Sequence, residues 1–431
     1  MINDESVRAV VAAHFAPQFV RPLYDSYCFS QIPQLVRHLL LGDEDPGLPP
    51  TVLAGLPPSY DKVVLFFVDA FGWRFYERHA GSDPFLQRIA AEGVVSKLTS
   101  QFPSTTAAHV TAIHTGLPVG ESGVYEWFYY EPLVDALIAP LLFSFAGDRR
   151  RETLRQTGIP PADFFPRQTL HQELQAGGVR SVIFQSREYT PSSYSDAVFA
   201  GAEVEPYRTL PEALARLAGR LLTDAGKGYY FLYFDRIDTI GHIHGPDSAM
   251  FRAETDAFLA VMERVFHGAL AGALHDTLFL LTADHGQVGG DPHDTIYLNH
   301  LLPELAADLQ TNRAGVPLVP AGSARDLFLH VKEDRLDAVQ RLLQTHLAGQ
   351  AEIYRVDDLI TRGFFGPRPP ALVFRARVGN LLIAPYRDTT IWWHEAGRFA
   401  QEYRGLHGGL TPEEMETVLL AYAYDGFTNR G

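Results

Sequence analysis

The chain is predicted to fold as an α/β protein with a doubly wound, mainly parallel sheet, helices on both faces and a small inserted α+β subdomain. Three observations predict it. Short apolar runs such as VVLFFV, YFLYF and LFLLT alternate with stretches of helical periodicity. Each run is rich in Leu, Val, Phe and Tyr and is followed by a Gly-containing turn, as in a strand buried on both faces. Acidic and histidine residues gather at the carboxyl ends of those runs, where open parallel sheets bind ligands.

In order along the chain, residues 1–55 read as a helical extension, in which SQIPQLVRHLLLG has a Ser start, an apolar face and a Gly stop. The Pro/Gly-rich stretch DEDPGLPPTVLAGLPPSYD leads into the first strand. Strands are expected at 62–68, 94–99, 180–185, 228–234 and 276–282, with helices at 210–223 and 248–272 among those between them. The catalytic core is expected to comprise residues 1–320 and 405–431. Residues 321–404 change pattern: ARDLFLHV reads as a strand, RLDAVQRLLQTHL as a helix and AEIYRVDDLI as a second strand. This βαβ-like order predicts an inserted subdomain that caps the site. The alternative is a continuation of the main sheet.

Composition narrows the function. Among 431 residues, 46% are hydrophobic and 20% charged, an ordinary globular balance. The net charge of −15 argues against a stable nucleic-acid complex. Cys28 is the single cysteine, which excludes an intrachain disulfide and a thiolate metal cluster. No apolar stretch approaches the roughly 18 residues of a membrane span. The amino terminus, MINDESVRAVVAAHF, lacks the apolar core of a signal peptide, so a cytoplasmic location without membrane attachment is expected.

Five short pieces carry the chemistry. Asp69 in FVDAFG ends the first strand, where a carboxylate suits a divalent cation or an N-cap of the next helix. Asp284 and His285 in TADHG form an adjacent ligand pair, with Gly286 supplying the turn that lets both reach one ion. Asp238 and His242 in DTIGH add an oxygen and an imidazole, the usual donors to catalytic zinc. Asp235 and His244 stand nearby; with 238–244 read as an extended chain, His242 is taken as the inward-facing ligand and His244 is set aside. His407 in GLHGG lies between glycines and can approach an ion closely. In FPSTTAAHVTAIHTG, Thr105 or Thr106 begins a helix whose free N–H groups favour a developing anion. A threonine hydroxyl needs a metal or base to act as a nucleophile. The aromatic run GVYEWFYYEP, with Tyr125 and Trp127, serves either as a pocket wall or as core packing.

FVDAFG, FPSTTAAHVTAIHTG, DRIDTIGH, TADHG and HGG resemble, in type and order, the alkaline phosphatase superfamily, most closely its nucleotide pyrophosphatase/phosphodiesterase branch. The resemblance runs from about Asp69 to His407. It implies an alkaline phosphatase-like fold and two divalent metal ions, zinc with manganese as the alternative. One ion would be held by Asp69, Thr106, Asp284 and His285, the other by Asp238, His242 and His407. It implies Thr106, rather than Thr105, as the nucleophile of a covalent intermediate. His109, three residues after Thr106, falls where the branch is expected to hold a phosphate oxygen; Tyr125 and Trp127, following the nucleophile helix, are the candidate aromatic contacts to a base or an apolar leaving group. The implied substrate is a small phosphate ester or nucleotide. Alternatives on the same site are a phosphomonoesterase, a phosphonate hydrolase, a cofactor-independent phosphoglycerate mutase-like enzyme suggested by GLHGGLTPEEM, and a non-catalytic metal-binding relative.

Overall fold

The computed structural model describes residues 1–424; residues 425–431, which the sequence assigns to the core, lie outside the described residues. Two sheets organise the chain. In chain order their strands are β1 (Lys62–Val68), β2 (Val94–Thr99), β3 (Arg180–Ser186), β4 (Glu203–Tyr207), β5 (Gly228–Phe234), β6 (Thr277–Thr282), β7 (Ala321–Ser323), β8 (Asp326–Leu329), β9 (Ala351–Arg355), β10 (Leu381–Pro385) and β11 (Glu416–Ala423). The larger sheet has seven strands in the order β2-β11-β6-β1-β5-β3-β4. From β6 to β4 every neighbouring pair is parallel. Only β11 runs against the rest, between β2 and β6. The mainly parallel α/β fold predicted from sequence is the fold observed. Neither β4 nor β11 is among the strands that the sequence predicts, because β4 is short and only partly buried and β11 lies beyond the inserted segment.

The sequence of β1 shows why the sheet is covered on both sides. Val63, Leu65 and Phe67 enter one apolar cluster, and Val64, Phe66 and Val68 enter another. Alternate residues point to opposite faces, so a strand covered twice must be apolar throughout. The first cluster is closed by helices α1 (Ile32–Leu41) and α2 (Thr106–Thr115), the second by α3 (Leu210–Thr223). Truncating Phe66 or Phe67, both fully buried, to Ala is expected to cost ~3–5 kcal/mol. Helix α4 (Arg236–His244) begins two residues after β5 ends. The helix expected over 248–272 is divided into an α-helical part, Ala249–Val261, a π-helical part, Met262–His267, and a last turn, Gly268–Leu270.

The smaller sheet has the order β7-β8-β10-β9 with all neighbours antiparallel. Helix α5 (Leu336–His346) joins β8 to β9, and β10 inserts between them, so the βαβ-like run of the sequence becomes a split unit. Its apolar cluster also takes in Leu298, Leu305 and Leu309, upstream of residue 321. Arg325, 1% exposed, ties this sheet to the short helix Pro412–Met415 after His407 through Nε and Nη2 bonds of 2.9 Å to Glu414. The Glu414 carboxylate also accepts from the Gly409 N–H at 3.0 Å. No described helix is long and apolar enough to cross a membrane.

Candidate active site

Three central strands deliver the acidic and histidine residues. Asp69 comes directly after β1, Asp284 and His285 come after β6, and Asp238 and His242 lie on α4 just after β5. These strands are neighbours in the order β6-β1-β5, so their carboxyl ends meet. Thr106 is the first residue of α2, after an extended Thr105. His407 comes after a short strand, Gly405–Leu406, that pairs with Val288–Gly289.

The side chains form two contiguous groups: Asp69, Asp284 and His285 in one, Asp238, His285 and His407 in the other. Thr106 Oγ1 lies 3.4 and 3.3 Å from the Asp69 oxygens and 3.3 Å from His285 Nε2. His242 Nε2 is 3.1 Å from Asp238 Oδ2 and 3.2 Å from His407 Nε2. His285 Nε2 is 3.1 Å from Asp284 Oδ2, which accepts no hydrogen bond among the described residues.

The backbone fixes how the imidazoles face. His242 Nδ1 lies 2.7 Å from the Gly405 carbonyl, His285 Nδ1 3.0 Å from the Gly286 carbonyl, and His407 Nδ1 3.1 Å from the Ser104 carbonyl. A carbonyl only accepts, so each Nδ1 carries hydrogen and donates. Each neutral ring then turns its Nε2 lone pair toward the carboxylates. Lone pairs 3.2 Å apart on His242 and His407 repel unless a cation or proton lies between them. This is the outer-shell arrangement of metal-ligating histidines. Four carboxylate or hydroxyl residues and three imidazoles therefore fit hard or borderline divalent cations, zinc and manganese included.

The electrostatics agree. Burial, then the neighbouring Asp284 and Asp238 carboxylates, raises the Asp69 pKa well above the usual range, against the hydrogen bond that Tyr233 Oη donates. Burial works against the Asp238 and Asp284 carboxylates too. His242 and His407 nevertheless hold Asp238 low, and His285 holds Asp284 down to about 2. Burial lowers His242 and His285, but Asp238 and Asp284 raise both on balance. Burial and His285 push His407 down to about 3. The cluster is a concentrated negative field that favours positive charge.

Several expectations from the sequence are corrected. Asp238 and His242 sit one turn apart on a helix, not along an extended chain, so i, i+4 spacing brings them together. His244, two positions on, points to the far side and is exposed. Asp69 does not cap the next helix, whose N-cap is Gly72. Gly286 is needed for close approach, since a Cβ there would overlap the Glu413 carbonyl. His109 does not line the cavity but lies behind it, edge-on to His285 with ring centroids 6.4 Å apart. It is fully buried, with Nε2 2.8 Å from Ser100 Oγ and 3.1 Å from Gln101 N, and Nδ1 2.8 Å from Thr105 O. Burial lowers it to about 4, so it is a neutral core histidine. Tyr125 is likewise fully buried, stacked on Tyr129 with ring centroids 5.3 Å apart. Trp127, 37% exposed, does line the cavity.

That cavity, about 650 Å³, opens over the cluster. Asp69, Thr106, Asp238, His242 and His407 line it, with Trp127, Trp392, Phe399 and Tyr403 as aromatic walls. Sequence pattern does not single out Tyr233 or Gln287. Gln287 Nε2 donates to Asp238 Oδ1 at 2.5 Å and to Asp238 O at 3.1 Å, which orients the carboxylate. Nor does it single out Glu126, buried in the cavity wall within hydrogen-bonding reach of Asp326. Burial pushes Glu126 up to about 7, and burial with Glu126 nearby raises Asp326 well above the usual range. The first of the two acids inside GVYEWFYYEP is the available signal.

Solved structures with this fold include human ectonucleotide pyrophosphatase/phosphodiesterase 5, at 17% identity and a TM-score of 0.62 over 84% of this chain and 87% of that one. The murine counterpart matches at 17% identity and a TM-score of 0.60, over 84% and 88%. Phosphonoacetate hydrolase from Sinorhizobium meliloti 1021, in complex with phosphonoacetate, matches at 17% and 0.56, over 85% and 91%. No functionally curated protein matches in sequence. The family model of type I phosphodiesterases / nucleotide pyrophosphatases spans residues 63–409, most of the chain. With its ordered clusters meeting at one end of the sheet, this chain belongs to the type I phosphodiesterase / nucleotide pyrophosphatase family and is a hydrolase of phosphoester bonds.

Proposed function

We propose that the protein hydrolyses phosphodiesters in two steps through a covalent Thr106 intermediate, with two divalent cations, zinc for preference. The observation that carries this reading is the shared orientation of His242, His285 and His407, each donating Nδ1–H to a carbonyl and presenting Nε2 inward. Asp69, Thr106, Asp284 and His285 would hold one cation, and Asp238, His242 and His407 the other. When bound, such a pair supplies positive charge that lowers the hydroxyl pKa and offsets charge on the phosphoryl oxygens.

The chain's own groups account for the rest. Thr106 Oγ1 stands at a helix N-terminus, where free N–H groups favour a phosphoryl anion. Its proton has an acceptor within reach in the Asp69 carboxylate, which keeps a second oxygen free when one holds a cation. Attack forms the Thr106 O–P bond and breaks the ester P–O bond on the opposite side. Water then cleaves the phosphothreonine ester, which restores the hydroxyl. The inactive threonine-to-alanine variant of the murine neighbour, solved with AMP, supports a threonine in this role.

A diester is favoured over a monoester because neither cavity-lining arginine is directed at the cluster by its contacts. Arg151 Nη1 donates to the Glu188 carbonyl, and Arg398 is bonded to Glu395 and the Ala146 carbonyl. The segment 321–404 acts as a cap in this reading, since Ser323, Trp392 and Phe399 line the same cavity as Thr106. The test is a rate comparison on zinc-loaded protein with p-nitrophenyl phosphate, bis-p-nitrophenyl phosphate, thymidine 5′-p-nitrophenyl phosphate and phosphonoacetate. The diesters are expected to turn over fastest, with a mass increment trapped on the Thr106 peptide. Turnover of phosphonoacetate alone would replace the reading with phosphonate hydrolysis, the activity named for a structural neighbour.

A further inference from the structure

Thr106 lies against Asp69 and His285. In an in-line displacement the leaving oxygen departs from the opposite side of phosphorus. Here that side is the Asp238, His242 and His407 group. Beyond it stands Tyr403, its ring centroid 4.8 Å from that of His242 and tilted by 45°. Tyr403 is 53% exposed and Ile243, next to His242, is 52% exposed, yet both line the cavity. Large apolar side chains left exposed at a cavity mouth mark a contact surface.

The Tyr403 backbone is held in place. Its carbonyl accepts from Gln401 Nε2 at 3.0 Å, its N–H donates to Gln401 Oε1 at 3.3 Å, and the next N–H, of Arg404, donates to the His242 carbonyl at 2.7 Å. The ring is thus presented to the cavity by a pinned strap. Asp238, beside it, would hold a cation, and Glu126 and Asp235 lie further along the wall. The two cavity-lining arginines are engaged with Glu188, Glu395 and Ala146.

From this placement, and resting on the proposed phosphodiesterase reading, we infer that Tyr403 forms a wall of a leaving-group subsite that takes an uncharged aromatic or apolar alcohol rather than a phosphate chain. A phosphate chain leaving toward Tyr403 would meet an apolar rim, with both cavity-lining arginines engaged elsewhere. An aryl or alkyl alcohol would bury the Tyr403 face and Ile243 instead.

The test holds the retained group constant. Thymidine 5′-phosphate esters of p-nitrophenol and methanol, and thymidine 5′-triphosphate, are bound to zinc-loaded Thr106→Ala protein by calorimetry and turned over by the protein with Thr106 intact. The p-nitrophenyl ester is expected to bind about tenfold tighter than the methyl ester, and Tyr403→Ala to erase that difference. Tyr403→Phe, which keeps the ring, should retain it. Metal content is measured on every variant. Tightest binding of the triphosphate overturns the inference. So does an equal loss for all three ligands in Tyr403→Ala, or loss of zinc from that variant, since either shows a merely structural ring. If the intact protein binds the esters with Tyr403-dependent selectivity but cleaves none, the proposed reaction fails while the aryl subsite stands. If it cleaves them without regard to Tyr403, the reaction stands and the subsite fails.

Discussion

The imidazoles of His285 and His407 stack face to face, with centroids 3.7 Å apart and planes 13° from parallel. His285 comes three residues after β6, whereas His407 comes from the return segment after the inserted sheet. Their contact joins the two side-chain groups into one site. It also makes the site dependent on the segment 321–404 folding correctly, because His407 is delivered only after it.

Metal removal tests that arrangement. Chelation should abolish diester hydrolysis, and zinc or manganese should restore it. Elemental analysis of protein purified without added metal should find about two ions per chain. His407→Ala should lower the content toward about one, because Asp69, Asp284 and His285 remain. Full occupancy in that variant would show that His407 is not a ligand.

Thr106→Ala should remove most turnover with little change in melting temperature, since the hydroxyl is partly exposed and makes only long contacts of 3.3–3.4 Å. Thr106→Ser should keep part of the rate. Thr105 occupies the N-cap position but makes no side-chain cap bond. Its hydroxyl instead serves Glu126, so Thr105→Ala should cost about 1 kcal/mol of stability and leave the covalent route intact. A dead Thr105→Ala enzyme beside an active Thr106→Ala enzyme would reverse the assignment.

His109→Ala and Tyr125→Ala should act on stability alone. Removing the His109 ring strips partners from Ser100 and the Gln101 N–H, both buried, and should cost ~2–3 kcal/mol. Tyr125 packs between Tyr129, Phe328 and Phe374. Denaturant titration of both variants measures the loss. A change in KM ratio between aryl and methyl esters would instead place either residue at the substrate.

Glu126 gives a pH signature in metal-free protein. Burial raises its carboxyl to about 7 in the folded state from an ordinary value of 4.5. A raised acid stabilises the fold while protonated, so the contribution is full below the unfolded pKa and is lost as pH rises through about 7. Stability should therefore decline between about pH 5 and pH 8, by an amount on the order of 2 kcal/mol. Glu126→Gln should flatten the decline, because a neutral amide keeps a hydrogen-bond donor for Asp326. Urea unfolding of both proteins across that range provides the comparison, and identical slopes would show that Glu126 does not drive the decline.

Residue type and order along the chain determined a good deal. Apolar runs covered on both faces announce β1, β5 and β6, and the acids and histidines beyond them announce where a site forms. These are local signals: strand burial writes itself into composition, and a chain turning out of a parallel sheet exposes the residues just past the strand end. Facing directions were decided by tertiary structure. The family resemblance implies a substrate contact for His109, yet α2 is buried all round and packing turns that ring to Ser100 and Gln101. The local pattern of Asp238 and His242 suits an extended chain, yet contacts with the Gly405 strap hold a helix there, with Gly241 bare because a Cβ would overlap Gln287. Glu126 and Asp326 lie 200 residues apart in number, and only the docking of the small sheet on the core brings their carboxyls together. Sequence specifies which groups exist and which strand ends carry them; the packing of one layer on another decides which of those groups face the same space.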